Sequence, residues 1–155
     1  MKNALLSLPA RLTLIVGLGF ALILTPQVAN AVDNMDATDG PDLTSVRAKI
    51  KAKDYPAALS ELRDMAEDTQ QADVYNLLGF TLRKTGDFKT SLTYYAKALE
   101  LQPDHKAAHE YLGELYVMTG HVDKAKVRLA TIAKICGNTS CEEYKDLAKA
   151  IAAKA

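Results

Sequence analysis

Tryptophan is absent from this chain of 155 residues, and cysteine, phenylalanine and proline occur only 2, 3 and 5 times. Runs of β-branched residues, which favour strands, are also scarce. The sequence therefore gives no sign of a sheet, and we expect an all-α fold.

Motifs that carry enzyme chemistry are missing as well. The chain has no Gly-rich phosphate loop and no Gly-x-Ser-x-Gly turn, and no nucleophile, base and orienting residue stand out as a set. We predict that the protein is not an enzyme and that it uses no cofactor.

The N-terminus has the layout of a secretory signal peptide. Lys2 and Arg11 precede an apolar run over residues 12–24, and a small-residue cleavage site ends at Ala31. The run is shorter than the ~20 residues that a membrane-spanning helix needs. We predict a cleavable signal peptide over residues 1–31 and a periplasmic or secreted protein; an uncleaved membrane anchor is the alternative.

The charge that remains after cleavage excludes one class of partner. Loss of Lys2 and Arg11 leaves 17 basic and 19 acidic residues, a net charge of about −2. A nucleic-acid-binding domain is usually strongly basic, so we expect no nucleic-acid partner. Once the signal segment has been removed, we also expect no membrane partner. Residues 32–42 are acidic and poor in apolar residues, which predicts a flexible linker.

A repeat of 34 residues organises the rest of the chain. Gly79 and Gly113, each preceded by leucine, have this spacing, and so do Gly86 and Gly120. A period of this length indicates one supersecondary unit that is stacked on copies of itself, because a single unit cannot bury its own apolar face.

The pattern within one period resembles the tetratricopeptide repeat (TPR) family, whose unit is a helix–turn–helix. Residues 106–139 follow the same pattern less closely. A partial copy of the pattern earlier in the chain indicates a degenerate first repeat, which lacks the Leu-Gly pair. The residues that carry the resemblance are Tyr75, Leu78, Gly79, Gly86, Ser91, Tyr95, Ala98 and Pro103.

The resemblance implies a short right-handed TPR solenoid of about three repeats with a C-terminal capping helix. The predicted TPR domain covers residues 43–155. Its repeats are expected at 43–71, 72–105 and 106–139, and its capping helix at about 140–153.

Individual glycine and aspartate residues agree with the predicted helix–turn–helix repeats. Gly79 and Gly113 lie in predicted helix interiors, where Gly costs up to ~1 kcal/mol against Ala unless two helices cross too closely for a Cβ. Gly86 and Gly120 would end helices in the left-handed conformation. Asp87 would then accept backbone N–H groups at the start of the next helix.

The two cysteines, Cys136 and Cys141, bracket a turn-forming sequence. In an oxidising compartment we expect a disulfide between them, worth about 2 kcal/mol. Thr139 with Glu142 fits a capping box that would start the last helix. That helix carries an apolar stripe that would cover the end of the stack, formed by Tyr144, Leu147, Ala148 and Ile151.

Two chemical alternatives remain open. Cys136 and Cys141 could form a redox-active pair, although such pairs usually have Cys-x-x-Cys spacing. His105 and His109 lie one helical turn apart and could chelate a metal, but the position of His109 in the repeat favours packing. We expect no metal site.

A ligand groove follows from the resemblance, because the family usually presents the first helix of each repeat on its concave side. Leu77 and Tyr111 occupy slots where the variant that grips peptide C-termini needs Asn or Arg, so we do not expect recognition of a free C-terminus. The positions expected to be exposed in the groove are Asp73, Asn76, Phe80, Arg83, Lys84, Glu110, Glu114, Val117 and Met118.

The function that these observations predict is binding without catalysis. We expect an exported adaptor or assembly factor that holds a peptide or a partner helix in its groove. A thiol-redox or metal-binding accessory protein is the alternative, and self-association through the ends of the stack is also open.

Overall fold

The computed structural model describes residues 40–154 of the protein. The predicted signal peptide and residues 32–39 of the predicted linker lie outside the described residues. Between residues 40 and 154 the chain forms seven α-helices and no strand, which confirms the all-α prediction. The helices are α1 (Thr44–Lys51), α2 (Tyr55–Asp68), α3 (Ala72–Thr85), α4 (Phe88–Leu101), α5 (Lys106–Met118), α6 (Val122–Cys136) and α7 (Glu142–Ala152).

Local sequence signals set the helix ends. The Asp54 and Asp87 carboxylates cap α2 and α4 by accepting the N–H groups of Ala57 (3.2 Å) and Thr90 (3.1 Å). Gly86 after α3 has φ 87°, and Gly120 after α5 has φ 80°, which is the left-handed conformation expected at both positions.

The helices pack as a stack of hairpins. Each helix packs on the next one, and α5 also packs on α3 and α7, the neighbouring first helices. The pairs α1/α2, α3/α4 and α5/α6 fall within the three predicted repeats, and α7 closes the far end. This arrangement confirms the solenoid with a C-terminal capping helix.

Close helix crossings explain the glycines in α3 and α5. A Cβ on Gly79 would lie 2.7 Å from the ring of Tyr95, and a Cβ on Gly113 would lie 2.4 Å from a methyl group of Leu147. The buried Ser91 hydroxyl also donates to the carbonyl oxygen of Gly79 at 2.7 Å. The α3–α4 crossing is therefore held by both packing and a hydrogen bond.

The capping helix buries its apolar stripe as predicted. Leu147 is fully buried against Val117, Ala125 and Ile132, with Tyr144 and Ile151 packed at the edge of this cluster. None of the helices found between residues 40 and 154 is both long and apolar enough to cross a membrane.

The predicted capping box of Thr139 and Glu142 is wrong. The helix α7 begins at Glu142, its N-cap is Cys141, and no side chain caps it. The side chain of Asn138 instead organises the preceding turn, because its Oδ1 accepts from the N–H and the hydroxyl of Ser140 at 2.8 and 2.7 Å. The helix therefore starts too late for Thr139 to reach it.

Candidate functional site

The first helices α1, α3, α5 and α7 form one face of the stack, which we call the first-helix face. Two cavities open on it. The apolar cavity lies among α1, α3 and α5, and the acidic cavity lies between α5 and α7. Tyr111 on α5 lines both cavities, so they adjoin.

Aromatic rings and a guanidinium group form the centre of this face. The ring centroids of Phe80 and Tyr111 are 5.0 Å apart. The Arg83 guanidinium lies 5.4 Å from the centroid of Phe80 and 5.7 Å from that of Tyr111, and the Lys84 ammonium approaches Phe80 at 5.1 Å. These contacts are within cation–π range and hold the rings at the surface of the stack.

The Arg83 guanidinium beside the rings is itself held by an ion pair with the half-buried Glu114. Arg83 is only 5% exposed, and its Nη2 lies 2.6 Å from a carboxylate oxygen of Glu114. Its Nε donates to the hydroxyl of the buried Tyr95 at 3.3 Å. Because Arg83 links α3, α4 and α5, it is a structural residue of the stack, and its charge is largely neutralised by Glu114.

The apolar cavity has a volume of about 230 Å³ and basic residues on one side. Its walls combine aliphatic and aromatic side chains with the stems of two basic residues on α1. The lining residues are Arg47, Ile50, Lys51, Leu77, Phe80 and Tyr111. A cavity of this size admits one apolar side chain of a bound polypeptide.

The acidic cavity has a volume of about 220 Å³ and opposite electrostatic character. Its residues are Ala107, Glu110, Tyr111, Glu142, Glu143 and Asp146. Burial, followed by the negative charges of Glu114, Asp146 and Glu143, raises the pKa of Glu110 to about 8. The first-helix face is therefore basic at the α1 end and acidic at the α7 end.

Four of the groove positions predicted to be exposed are buried, and that part of the prediction is wrong. They are Asn76, Arg83, Glu110 and Val117. Arg83 is covered by its contacts on α5, and Val117 points into the cluster around Leu147. The neighbouring first helices pack closely enough to cover side chains that an isolated repeat would leave in solvent.

The other five predicted groove residues lie at or near the surface. Asp73, Lys84 and Met118 are exposed, and Phe80 and Glu114 are half-buried. Asp73 is engaged by His105, whose Nε2 lies 3.2 Å from its Oδ1. Only Phe80 and Glu110 among the nine predicted residues line one of the two cavities.

Several cavity residues were missed by sequence reasoning. Arg47 and Lys51 lie on α1, where the degenerate repeat offers no Leu-Gly marker to set the register. Glu142, Glu143 and Asp146 recur at helical spacing on α7, so the sequence does contain an acidic stripe. The stripe lines a cavity only because α7 packs on α5, and the sequence of α7 alone does not specify that contact.

The two histidines are engaged within the protein. The His105 Nδ1 accepts the N–H of Ala108 at 3.3 Å and so caps α5. The buried His109 bonds the carbonyl of Pro103 through Nε2 at 2.9 Å, and its Nδ1 lies 3.4 Å from an Arg128 nitrogen. A metal ion held by both rings would have to replace these contacts, so the packing interpretation is favoured.

The cysteines form the predicted disulfide, which joins Cys136 at the end of α6 to Cys141 before α7. The sulfur atoms of this pair and a carboxylate oxygen of Glu143 lie within 4.8 Å of one another, the one such group of three donors found between residues 40 and 154. With the sulfurs joined to each other, the thiolates that would bind a metal are not available.

The family comparison agrees with this architecture. The sequence model of the tetratricopeptide repeat family matches residues 82–151. These residues belong to the tetratricopeptide repeat family. The match starts in the last turn of α3 and includes all of α4, α5 and α6 and nearly all of α7, so the TPR region reaches into the capping helix.

Two curated proteins are similar to part of the chain. The chain is 36% identical over 76 residues to the Sol locus transcriptional repressor of Clostridium acetobutylicum, which corresponds to 49% of this chain and 24% of the repressor. It is 32% identical over 65 residues to the uncharacterized protein ycf37 of Guillardia theta, or 42% of this chain and 36% of that protein. The chain thus spans about a quarter of one of these relatives and just over a third of the other.

A solved structure shares the fold over most of the chain. The type III secretion translocator chaperone SycD of Yersinia enterocolitica superposes with a TM-score of 0.61 at 12% sequence identity. The superposition covers 72% of this TPR chain and 83% of the chaperone chain. At this identity the likeness establishes the fold alone.

Proposed function

We propose that the protein is a non-enzymatic adaptor or assembly factor that binds a peptide or a helix of a partner protein on its first-helix face. The observation that carries the proposal is the apolar cavity beside the Phe80–Tyr111 pair, at the surface of a TPR stack. Aromatic anchors beside a small apolar cavity supply most of the binding energy in many peptide grooves.

The relatives and the fold support this proposal without naming a partner. SycD, which shares the fold, is described as a translocator chaperone, and this description supports a role of the present chain toward another protein. That structure is also described as an alternative dimer. The second candidate partner is therefore another copy of the chain. Light scattering of the purified protein tests this self-association.

The place of action that we propose is the periplasm or the exterior of the cell. The signal-like segment at residues 1–31 supports export, and a disulfide at Cys136–Cys141 suits an oxidising compartment. Mass spectrometry of the natural protein tests cleavage after Ala31. A mature N-terminus at Met1 would contradict it.

Site-specific photo-crosslinking in cells tests the binding face. A photoreactive phenylalanine analogue at Phe80 is compared with the same analogue at Val127, which lies on α6 and is 58% exposed. We expect a discrete adduct from position 80 and none from position 127. Adducts from position 127 alone would place the partner elsewhere and overturn the proposal.

A quantitative variant complements the crosslinking. Phe80→Ala should weaken binding of the crosslinked partner by about tenfold, because truncation of an aromatic anchor typically costs more than 1 kcal/mol. Arg83→Glu is unsuitable for this purpose, because it would bury a second negative charge beside Glu114 and disturb the fold. Unchanged affinity in Phe80→Ala would remove the aromatic pair from the binding site.

A further inference from the structure

Glu110 is a buried carboxyl group with no partner in the part of the chain that the structure describes. It lies on α5, is 8% exposed and lines the acidic cavity. Neither an ion pair nor a side-chain hydrogen bond reaches it from residues 40–154, although other carboxylates nearby have such contacts. The residue is buried among its neighbours, but its carboxylate faces the open acidic cavity without a protein partner, where a ligand of opposite charge can pair with it.

The groups around Glu110 add negative charge. Glu114 faces it from the same helix, and Glu143 and Asp146 face it from α7. The cations nearby are already used, because Arg83 binds Glu114 at 2.6 Å and the Lys106 ammonium lies 3.6 Å from Glu143. An incoming positive charge would therefore meet an excess of carboxylates.

The spacing of these carboxylates favours an organic cation over a metal ion. Oxygen ligands of a metal must converge on one point, but the acidic-cavity carboxylates do not form a group within 4.8 Å of one another. A guanidinium group spreads five N–H donors and an ammonium group has three, so either can bond carboxylates that lie farther apart. The shared wall residue Tyr111 offers a ring against which such a cation can lie.

We propose that the acidic cavity binds the cationic end of an Arg or Lys side chain of the partner polypeptide, while a neighbouring apolar side chain of the same partner fills the apolar cavity. The inference rests on the proposed function and specifies the chemistry of the partner. It predicts a ligand segment with a large apolar residue close to a basic one.

Peptide selection tests this specificity. A phage-displayed library of random 12-residue peptides is selected against the full chain and, in parallel, against Glu110→Gln, Asp146→Asn and the control Glu67→Gln. Glu67 is exposed on α2, away from the first-helix face. We expect wild type and Glu67→Gln to enrich peptides with Arg or Lys beside a large apolar residue. The two cavity variants should lose the preference for the basic residue.

The affinity of one selected peptide for wild type and for each variant gives the size of the loss in binding. Fluorescence anisotropy should show at least a tenfold loss when its basic residue is replaced by Gln, and a similar loss for Glu110→Gln, as expected for a charge-assisted hydrogen bond. The two losses should not add, because both changes remove the same contact. Asp146→Asn is at an exposed position and keeps the test valid should Glu110→Gln perturb the fold.

The pH dependence of binding provides an independent readout. A proton on Glu110 must leave before the group can pair with a cation, so wild-type affinity should rise between pH 6 and pH 9. The charged groups that face Glu110 are Glu114 on its own helix, Arg83 on α3, and Glu142, Glu143 and Asp146 on α7. A flat profile in wild type would contradict the assigned role of Glu110.

The outcomes separate this inference from the proposed function. Selected peptides that depend on Phe80 but show no basic preference, or that bind Glu110→Gln as tightly as wild type, would overturn the inference and leave the proposed function intact. A selection that yields no peptide whose binding depends on Phe80 would overturn both.

Discussion

Glycine residues at the helix crossings of this protein make room for the side chains that pack against them. Gly79 allows the Tyr95 ring to lie directly against the backbone of α3, and Arg83 then reaches the hydroxyl of the same tyrosine. The small residue and the buried aromatic ring therefore act as one packing unit. The Leu-Gly marker that identifies the repeat is a direct consequence of this crossing.

Replacement of Gly79 by Ala should lower the free energy of unfolding by about 1–3 kcal/mol, as overpacking of a core commonly does. The new Cβ would lie 2.7 Å from the ring of Tyr95, which is fully buried and cannot withdraw. This loss should exceed the gain of up to ~1 kcal/mol in helix propensity. Urea denaturation of the purified protein measures it.

Gly113→Ala tests the second crossing. Its Cβ would overlap both methyl groups and the Cγ of Leu147, which is also fully buried, so we expect a loss of stability of similar size. Stabilisation by both substitutions would show that neither crossing is as close as described.

At the scale of helices, α7 and the disulfide form a distinct terminal element. The bridge joins the end of α6 to the start of α7, and Leu147 anchors α7 against α5 and α6. The bridge closes a short loop, so its stabilising effect is expected to be modest and to act mainly on α7.

Replacement of both cysteines by Ala should lower the free energy of unfolding by about 2 kcal/mol, the value expected for a short loop. Hydrogen exchange should accelerate in α7 and leave α3 and α4 nearly unchanged, because those helices pack independently of the bridge. Wild-type protein in reductant should behave like the variant. Uniform acceleration along the stack would contradict a local role, and loss of partner binding with normal stability would favour the thiol-redox alternative.

At the scale of the whole molecule, a single buried acid links stability to pH. The pKa of Glu110 is raised from 4.5 to about 8. Between these values the folded protein keeps the proton and the unfolded chain releases it. The contribution of this group is therefore complete at low pH and is lost as the pH rises toward 8.

Glu110→Gln should remove that dependence. We expect the free energy of unfolding of wild type to fall by roughly 1–3 kcal/mol relative to the variant between pH 5 and pH 8.5, less than the full pKa difference implies because solvent in the open cavity screens the charge. Thermal or urea denaturation across this range measures the difference, with Glu67→Gln as the control. Parallel curves for wild type and Glu110→Gln would show that Glu110 titrates normally.

The sequence predicted much of the fold because the stack is built from local signals. The glycine spacing, the aspartate caps and the apolar stripe of α7 each act over a few residues and can be read directly. The site depends on contacts between repeats, and these were harder to predict. Burial of Arg83 and Glu110 follows from how closely α5 approaches α3 and α7, and repeat positions alone do not specify that distance.

The helix that seals the stack also supplies Glu142, Glu143 and Asp146 to one wall of the acidic cavity. A guest held against that wall would keep α7 docked on α5, and detachment of α7 would release the guest. Retention of the guest and protection of the α7 amides from hydrogen exchange should therefore rise and fall together.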